Sequence, residues 1–301
     1  MKKQLIIIGG PTASGKTALA IRLAQHFSTE ILSADSRQFY REMIIGTAKP
    51  TERELNLVKH HFINNISIHD AYSVGEYEKQ ALEVLSDIFQ KNDVAIMVGG
   101  TGLYIRAVCE GLDEFPEVPL SIRQDLEHLY QTEGIEPLQK MLQSVDYEYY
   151  KQADIQNPMR LLRALSVYQA SGEPFSSFRK GETSDRIFDA IYICLDVPRA
   201  MLYDRINKRV DSMIDEGLID EARYLLPFKH LIALQTVGYA ELFDYFEGKI
   251  TLPEAIDKIK QHTRNYAKRQ ITWFRKDTHW QKFSPAAFDD IPSFINSKIS
   301  H

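Results

Sequence analysis

The stretch LIIIGGPTASGKTALAIRLAQHF, residues 5–27, decides the fold. Residues 5–8 form an apolar, mostly β-branched run, the pattern of a strand buried on both faces in a parallel sheet. Gly10–Thr17 read GPTASGKT, which fits G-x-x-x-x-G-K-[ST]. Ala18, Leu19, Ile21, Leu23 and Ala24 continue as a helix with one apolar face. Strand, glycine loop and helix therefore stand in the order of a P-loop. Gly10 and Gly15 let the intervening Pro11, Thr12, Ala13 and Ser14 turn backbone N–H groups inward around an anion. The N-terminus of the following helix adds partial positive charge. Lys16 is placed to reach the outer phosphate, and the Thr17 hydroxyl to ligand Mg2+. The motif specifies a polyphosphate site and leaves the reaction open.

Three further segments read as strands ending in polar or glycine-rich turns. EILSAD ends in Asp35, IYICLD ends in Asp196, and VAIMV (94–98) runs into GGTGLYI. Either aspartate fits a Walker-B position, where a strand-end carboxylate holds a metal. Asp196 has the more apolar strand before it, yet Pro198 and Arg199 follow, so it equally fits a helix start. Asp35 has the more telling neighbours: Ser36 and Gln38 share its strand end, where ligands sit in open α/β sheets. A carboxylate and an amide so spaced can accept from and donate to one purine edge. Gly99, Gly100 and Gly102 permit close backbone approach beside Thr101. The fold class expected is α/β, a P-loop NTPase-like core with a parallel sheet flanked by helices.

Composition agrees with an ordinary globular chain: 301 residues, 44% apolar, 26% charged, net charge -5. No apolar run approaches membrane length. The two cysteines, Cys109 and Cys194, make no disulfide scaffold or zinc motif, which points to a reducing cytoplasm. His60 and His61 are adjacent, so a strand or helix aims them apart, and they read as ordinary polar residues rather than metal ligands.

From Asp113 to about Arg186 the strand signals fade. SIRQDLEHLYQTEG and PLQKMLQSV carry helical spacing, between a turn-rich EFPEVP (114–119) and a loop-rich GEPFSSFRKGETSD (172–185). An inserted all-helical domain is expected over 113–187, with 1–112 and 188–301 forming the core. Toward the C-terminus, residues 258–276 hold seven Lys or Arg and no Asp or Glu, threaded with Tyr266, Trp273 and Phe274. Pro253 suits the start of a helix. On that helix Arg264, Lys268 and Arg275 fall near one face, while Ile259, Tyr266 and Trp273 serve another. Trp273 and Phe274 read as core. A long, acid-free cationic run interleaved with aromatics suits a nucleic-acid backbone.

The ordered series GPTASGKT, SADSRQFY, GTAKP (46–50), HHF (60–62), GGTGLYI, NPMRLLRAL (157–165), QTVGYAEL (235–242) and TRNYAKRQITWFR (263–275) resembles the bacterial tRNA dimethylallyltransferase family along nearly the whole chain. The resemblance implies transfer of a dimethylallyl group from dimethylallyl diphosphate to N6 of the adenine beside the anticodon. The P-loop would hold the donor's diphosphate rather than the tail of ATP. Asp35 would be the general base, with Lys16 and a Thr17-bound Mg2+ stabilising the leaving diphosphate. The family pattern adds Thr101 near the reacting centre and an arginine from YDRINKRVDSM, either Arg209, which is preferred, or Arg205. It also implies tRNA contacts at Asp35, Ser36, Arg37, Gln38 and Thr101 around a flipped base. Further contacts with the anticodon stem-loop would come from Arg123, Met159, Arg160, Leu161, Leu162 and Arg163 of the insertion. Gln235, Gly238, Tyr239, Arg264, Lys268, Arg269, Gln270 and Arg275 would supply the rest. A monomer is expected, because tRNA would occupy much of one face.

Lys59, Asn64, Asn65 and Ala240 depart from the family pattern, which blurs tRNA contacts near 60–65 and 235–241. No zinc-finger extension is expected. Two other classes stay open on the residues alone: a P-loop kinase or ATPase using Asp196, and an RNA-binding module without chemistry. Within the enzyme class, a free-adenylate prenyltransferase shares the N-terminal motifs but has no use for a long cationic surface.

Overall fold

The computed structural model describes residues 2–181 and 184–299. The chain divides into two compact units, Met1–Cys109 with Asp185–His301, and Glu110–Ser184.

In the first unit, six strands form one parallel sheet: β1 (Lys3–Gly9), β2 (Ile31–Ser33), β3 (His60–His61), β4 (Val94–Val98), β5 (Phe188–Leu195) and β6 (Gln281–Phe283). Their order is β3-β2-β4-β1-β5-β6. The chain leaves β1 toward one edge, returns to place β4 beside it, then builds β5 and β6 on the other side. That reversal opens a crevice at the carboxyl ends of β1 and β4, the expected ligand position for such sheets. β3 and β6 have no counterpart in the sequence pattern. At 2 and 3 residues they are too short to show alternation.

Helices α1 (Lys16–His26), α2 (Glu52–Leu57), α3 (Val74–Lys91) and α4 (Gly102–Glu110) precede the second unit. Its helices are α5 (Leu120–Glu133), α6 (Glu136–Val145), α7 (Tyr147–Gln152), α8 (Pro158–Ser171) and α9 (Phe175–Phe178). The first unit resumes with α10 (Arg199–Asp215), α11 (Leu218–Leu225), α12 (Tyr239–Phe246), α13 (Leu252–Lys276) and α14 (Ile291–Ile299). Strand alternation assigns the faces of the sheet. Leu5 and Ile7 pack with Tyr77, Ala81 and Leu85 of α3, whereas Ile6 and Ile8 pack with Leu19 and Leu23 of α1 and Ile295 of α14.

α13 starts where Pro253 suggested. Thr251 and Glu254 close a capping box there, with Pro in the first turn. Near its other end Phe274 is buried between Trp273 and Trp280, at ring distances of 4.9 and 4.7 Å. A Cβ on Gly9 would lie 2.5 Å from the Phe274 ring, so the end of β1 and this aromatic cluster are in direct contact. Trp273 and Phe274 are core residues, as their aromatic character and spacing suggested.

The second unit buries Leu126, Leu138, Leu142, Leu161 and Leu165. Asp146 braces it by accepting from the Ser176 N–H and hydroxyl and from the Tyr149 N–H. Leu161 and Leu162 are therefore corrected as RNA contacts: the apolar stripe of α8 that carries them forms the unit's interior. Among the described residues, no helix is long and apolar enough to cross a membrane.

Removing the ring that backs β1 has a large expected cost. Phe274→Ala should destabilise the protein by about 3–5 kcal/mol, read from urea or thermal unfolding.

Candidate active site

The P-loop forms as its glycines require. Gly10 and Gly15 take φ values of 139° and 97°, a region that L side chains rarely adopt. Lys16 Nζ folds back to donate to the carbonyls of Gly10 (3.0 Å) and Pro11 (2.8 Å). Burial lowers its pKa to about 8, with the Arg209 charge adding to the shift and Asp35 opposing it. Ser14 Oγ is buried in the loop with no hydrogen-bond partner.

Three strand ends converge on this loop. Past β2, Asp35 accepts from the Arg37 N–H at 3.1 Å. Burial raises its pKa, against the pull of that N–H and of Lys16. Gln38 takes the Ser33 hydroxyl on Oε1 and donates to the Ala48 carbonyl at 3.2 Å. Past β4, Thr101 Oγ1 accepts from the Ser36 N–H at 3.3 Å. From α10, Arg209 approaches Thr12 Oγ1 at 3.4 Å. Desolvation lowers the Arg209 pKa while Asp35 raises it.

α13 closes the site. Gln270, 6% exposed, accepts from the Thr12 N–H (2.8 Å) and donates to the Gly100 carbonyl (3.0 Å). One amide thus ties the P-loop to the glycine turn after β4. One helical turn earlier stands Tyr266, whose pKa is pushed up to about 12, first by burial and then by Asp35, with a Thr101 hydrogen bond opposing.

Two cavities meet here. The smaller, about 230 Å³, is lined by Thr12–Ala18, Asp35, Gln38, Pro50, His60 and Ile63 among others. The larger, about 850 Å³, is lined by Ser36, Arg37, Thr101, Gln235, Gly238 and Arg269 among others. Asp35, Arg209, Tyr266, Thr12, Thr47 and Ala48 belong to both. An anion cradle therefore opens past a carboxylate into a chamber large enough for a base.

Of the residues expected at the site, Lys16, Asp35, Gln38, Thr101 and Arg209 are brought to these cavities. Arg209 rather than Arg205 faces them: Arg209 lines both cavities and Arg205 lines neither. Asp196 is exposed and lines neither cavity, so it does not stand as a Walker-B carboxylate. Among the described residues no cluster of His, Cys, Asp or Glu could hold a metal alone.

Two RNA-contact expectations are corrected here. Tyr239 is fully buried, its hydroxyl bonded to Glu221 at 2.6 Å. Gln270 is turned inward as the bridge just described. Arg264 is half-buried and donates to Asn207 at 2.7 Å, whereas Lys268, Arg269 and Arg275 are exposed. In the helical unit Arg123, Met159, Arg160 and Arg163 are exposed. The Arg163 guanidinium lies 5.1 Å over Phe115, and burial together with the Arg123 charge lowers its pKa.

Tyr266 and His60 were not anticipated as site residues. The signal for Tyr266 was present: Ile259, Thr263, Tyr266 and Gln270 fall on one helical face, and all are buried or line a cavity. His60 was legible only as a strand residue opposed to His61. The pairing sends His61 to Glu30 at 2.6 Å and His60 to the smaller cavity, where its Nε2 is buried without a partner.

A P-loop, a buried carboxylate and an adjoining chamber define an α/β transferase-type P-loop enzyme. A family model described as IPP transferase matches residues 38–277. A tRNA dimethylallyltransferase of Christiangramia forsetii is 55% identical over 302 residues, covering 99% of this chain and 100% of that protein. The crystal structure of a tRNA isopentenylpyrophosphate transferase from Bacillus halodurans is 35% identical, with a TM-score of 0.74, and the match covers 100% of this chain and 97% of that one. A eukaryotic dimethylallyltransferase acting on tRNA, at 24% identity and a TM-score of 0.79, covers 96% of this chain and 76% of its own, and shares the fold. The chain belongs to the IPP transferase family.

The depressed Lys16 pKa has a signed consequence. Below about 8 the ammonium is charged and can bind an anion; above it the empty site holds a neutral amine. Affinity for inorganic diphosphate should fall about ten-fold between about pH 7 and about pH 9, and Lys16→Met should flatten the profile. Between about 8 and the ordinary 10.5 the unfolded chain binds more protons, so this group makes the empty protein more stable as pH rises through that window.

Proposed function

We propose that this enzyme transfers the dimethylallyl group of dimethylallyl diphosphate to N6 of the adenine 3′-adjacent to the anticodon in tRNA, releasing diphosphate. The observation that carries the reading is the junction of the two cavities at Asp35, Arg209 and Tyr266. The donor's diphosphate lies in the P-loop, where Ser14 Oγ and His60 Nε2 are buried groups that lack partners. Its short apolar chain lies against Ala48, Pro50 and Ile63. The adenine, flipped from the anticodon loop, enters through the larger cavity.

In the reaction N6 attacks the allylic C1, and the C1–O bond breaks with its electron pair on the diphosphate. Asp35 accepts the N6 proton; burial makes it a stronger base than an exposed carboxylate. Lys16, Arg209 and the loop N–H groups stabilise the charge that develops on the leaving oxygen. Thr101, anchored by the Ser36 N–H and Tyr266, positions the acceptor beside Asp35.

Mg2+ fits this site as a partner of the bound diphosphate. Thr17 supplies a hydroxyl at the cavity wall, and the other ligands would be diphosphate oxygens and water, the usual habit of this ion. Bound there, it would neutralise diphosphate charge.

Lys268, Arg269 and Arg275 on α13, and Arg123, Arg160 and Arg163 in the helical unit, serve the anticodon stem-loop, so affinity should fall with salt. A free-adenylate acceptor would need neither set. The enzyme works as a monomer in the cytoplasm.

Labelled dimethylallyl diphosphate, Mg2+ and an anticodon stem-loop test the reading directly. Label should pass to the stem-loop but not to AMP, and Asp35→Ala should lower the rate by about two to four orders of magnitude. Label in AMP, or ATP turnover without RNA, would sink the proposal.

A further inference from the structure

Beyond the residues that face either cavity, Glu221 of α11 occupies an unusual position. Its carboxylate accepts from three successive backbone N–H groups: Ile44 at 3.0 Å, Ile45 at 2.8 Å and Gly46 at 3.0 Å. The fourth bond comes from the buried Tyr239 hydroxyl. Successive N–H groups turned to one side form a concave anion site, here filled by a side chain of the protein itself. Charge-assisted bonds of this kind are roughly twice as strong as neutral ones.

The segment so gripped leads directly into the rim shared by the two cavities. Gly46 is pressed on Tyr239 so closely that a Cβ would lie 2.6 Å from the ring. The Ala48 N–H donates to the Ile45 carbonyl, and Ala48 takes a φ of 49°, so the chain turns sharply after the gripped N–H groups. Thr47 and Ala48 then line both cavities, and the Ala48 carbonyl holds the Gln38 amide. A hydrogen-bonded chain therefore runs from Tyr239 through Glu221 and residues 44–48 to Gln38.

We infer that Glu221 is a positioning residue for the donor: it holds the 44–48 rim against the prenyl diphosphate while touching neither substrate. The inference rests on the proposed function for the identity of the donor. Without the carboxylate, the three N–H groups lose their common acceptor and the rim moves away from Gln38 and the P-loop. Donor binding then weakens, while Asp35, Lys16 and Arg209 keep their places.

The test compares wild type with Glu221→Gln and Tyr239→Phe. Donor affinity is measured by equilibrium dialysis of labelled dimethylallyl diphosphate without RNA. Steady-state transfer to the stem-loop and amide exchange over residues 43–49 complete it. Glu221→Gln should weaken the donor about ten-fold, from the loss of charge-assisted bonds, and raise its KM in step. At saturating donor, kcat should change by less than about three-fold. Exchange should quicken in 43–49 while the central strands keep their protection. Tyr239→Phe should shift the same quantities in the same direction, by less. Unchanged donor affinity with a lowered kcat overturns the inference, as does exchange that quickens throughout the sheet. If Glu221→Gln fails to fold, Tyr239→Phe decides, and unaltered affinity with unaltered rim exchange refutes it. A wild-type protein that binds donor but leaves the stem-loop unlabelled refutes the proposed function instead.

Discussion

One buried amide joins the parts of this molecule that do chemistry. Gln270 spans the Thr12 N–H and the Gly100 carbonyl, and so sets the P-loop, the turn after β4 and the long C-terminal helix in one frame. A buried donor and acceptor left without partners would each cost about 1–3 kcal/mol, so the bridge is held from both ends. The face of α13 that presents Gln270 also presents Tyr266, which brings a phenol to the junction where Asp35 and Arg209 stand. The opposite face keeps Lys268 and Arg275 outward, while Arg269 borders the larger cavity. A single helix therefore organises the reacting centre with one side and offers cations with the other.

The cradle's electrostatics follow from burial. Lys16 lies among loop carbonyls, and the charges of Asp35 and Arg209 both act on it. Burial pushes the lysine down and the aspartate up, and each charge partly restores the other. An arriving diphosphate changes that balance by adding negative charge beside two cations. The cradle suits any polyphosphate, and beyond Asp35 it opens into the larger chamber.

Much of the fold was legible because its signals are local. The run at 5–8, the glycine loop and the apolar face of α1 sit within one short window, and VAIMV shows its burial in composition alone. The basic segment was legible as charge, and its helix start as a proline. What escaped was set by tertiary context. β3 and β6 owe their existence to pairing with β2 and β5, not to any pattern of their own. Tyr239 and Gln270 carry polar groups that look available in sequence, yet each is bonded to a distant partner, Glu221 in one case and Thr12 in the other. Leu161 and Leu162 came along with their motif, although α8 needs them for its interior. His60 was dismissed because adjacency to His61 argues against shared ligation, and the same adjacency, in a strand, aims one of them at the P-loop.

The reach of the Gln270 bridge also bears on how the protein is made. Thr12 and Gln270 are 258 residues apart. The glycine loop emerges from the ribosome early and can form locally, since β1 and α1 flank it. Its clamp arrives only after the helical unit and then α10, α11 and α12 have been synthesised. Chains fold from the N-terminus as they appear, and long-range closures come late. A nascent chain thus carries an unbraced anion loop for most of its synthesis, and acquires a defined site only when α13 docks. Truncated products of translation would accordingly lack the finished centre, whatever their P-loop sequence promises.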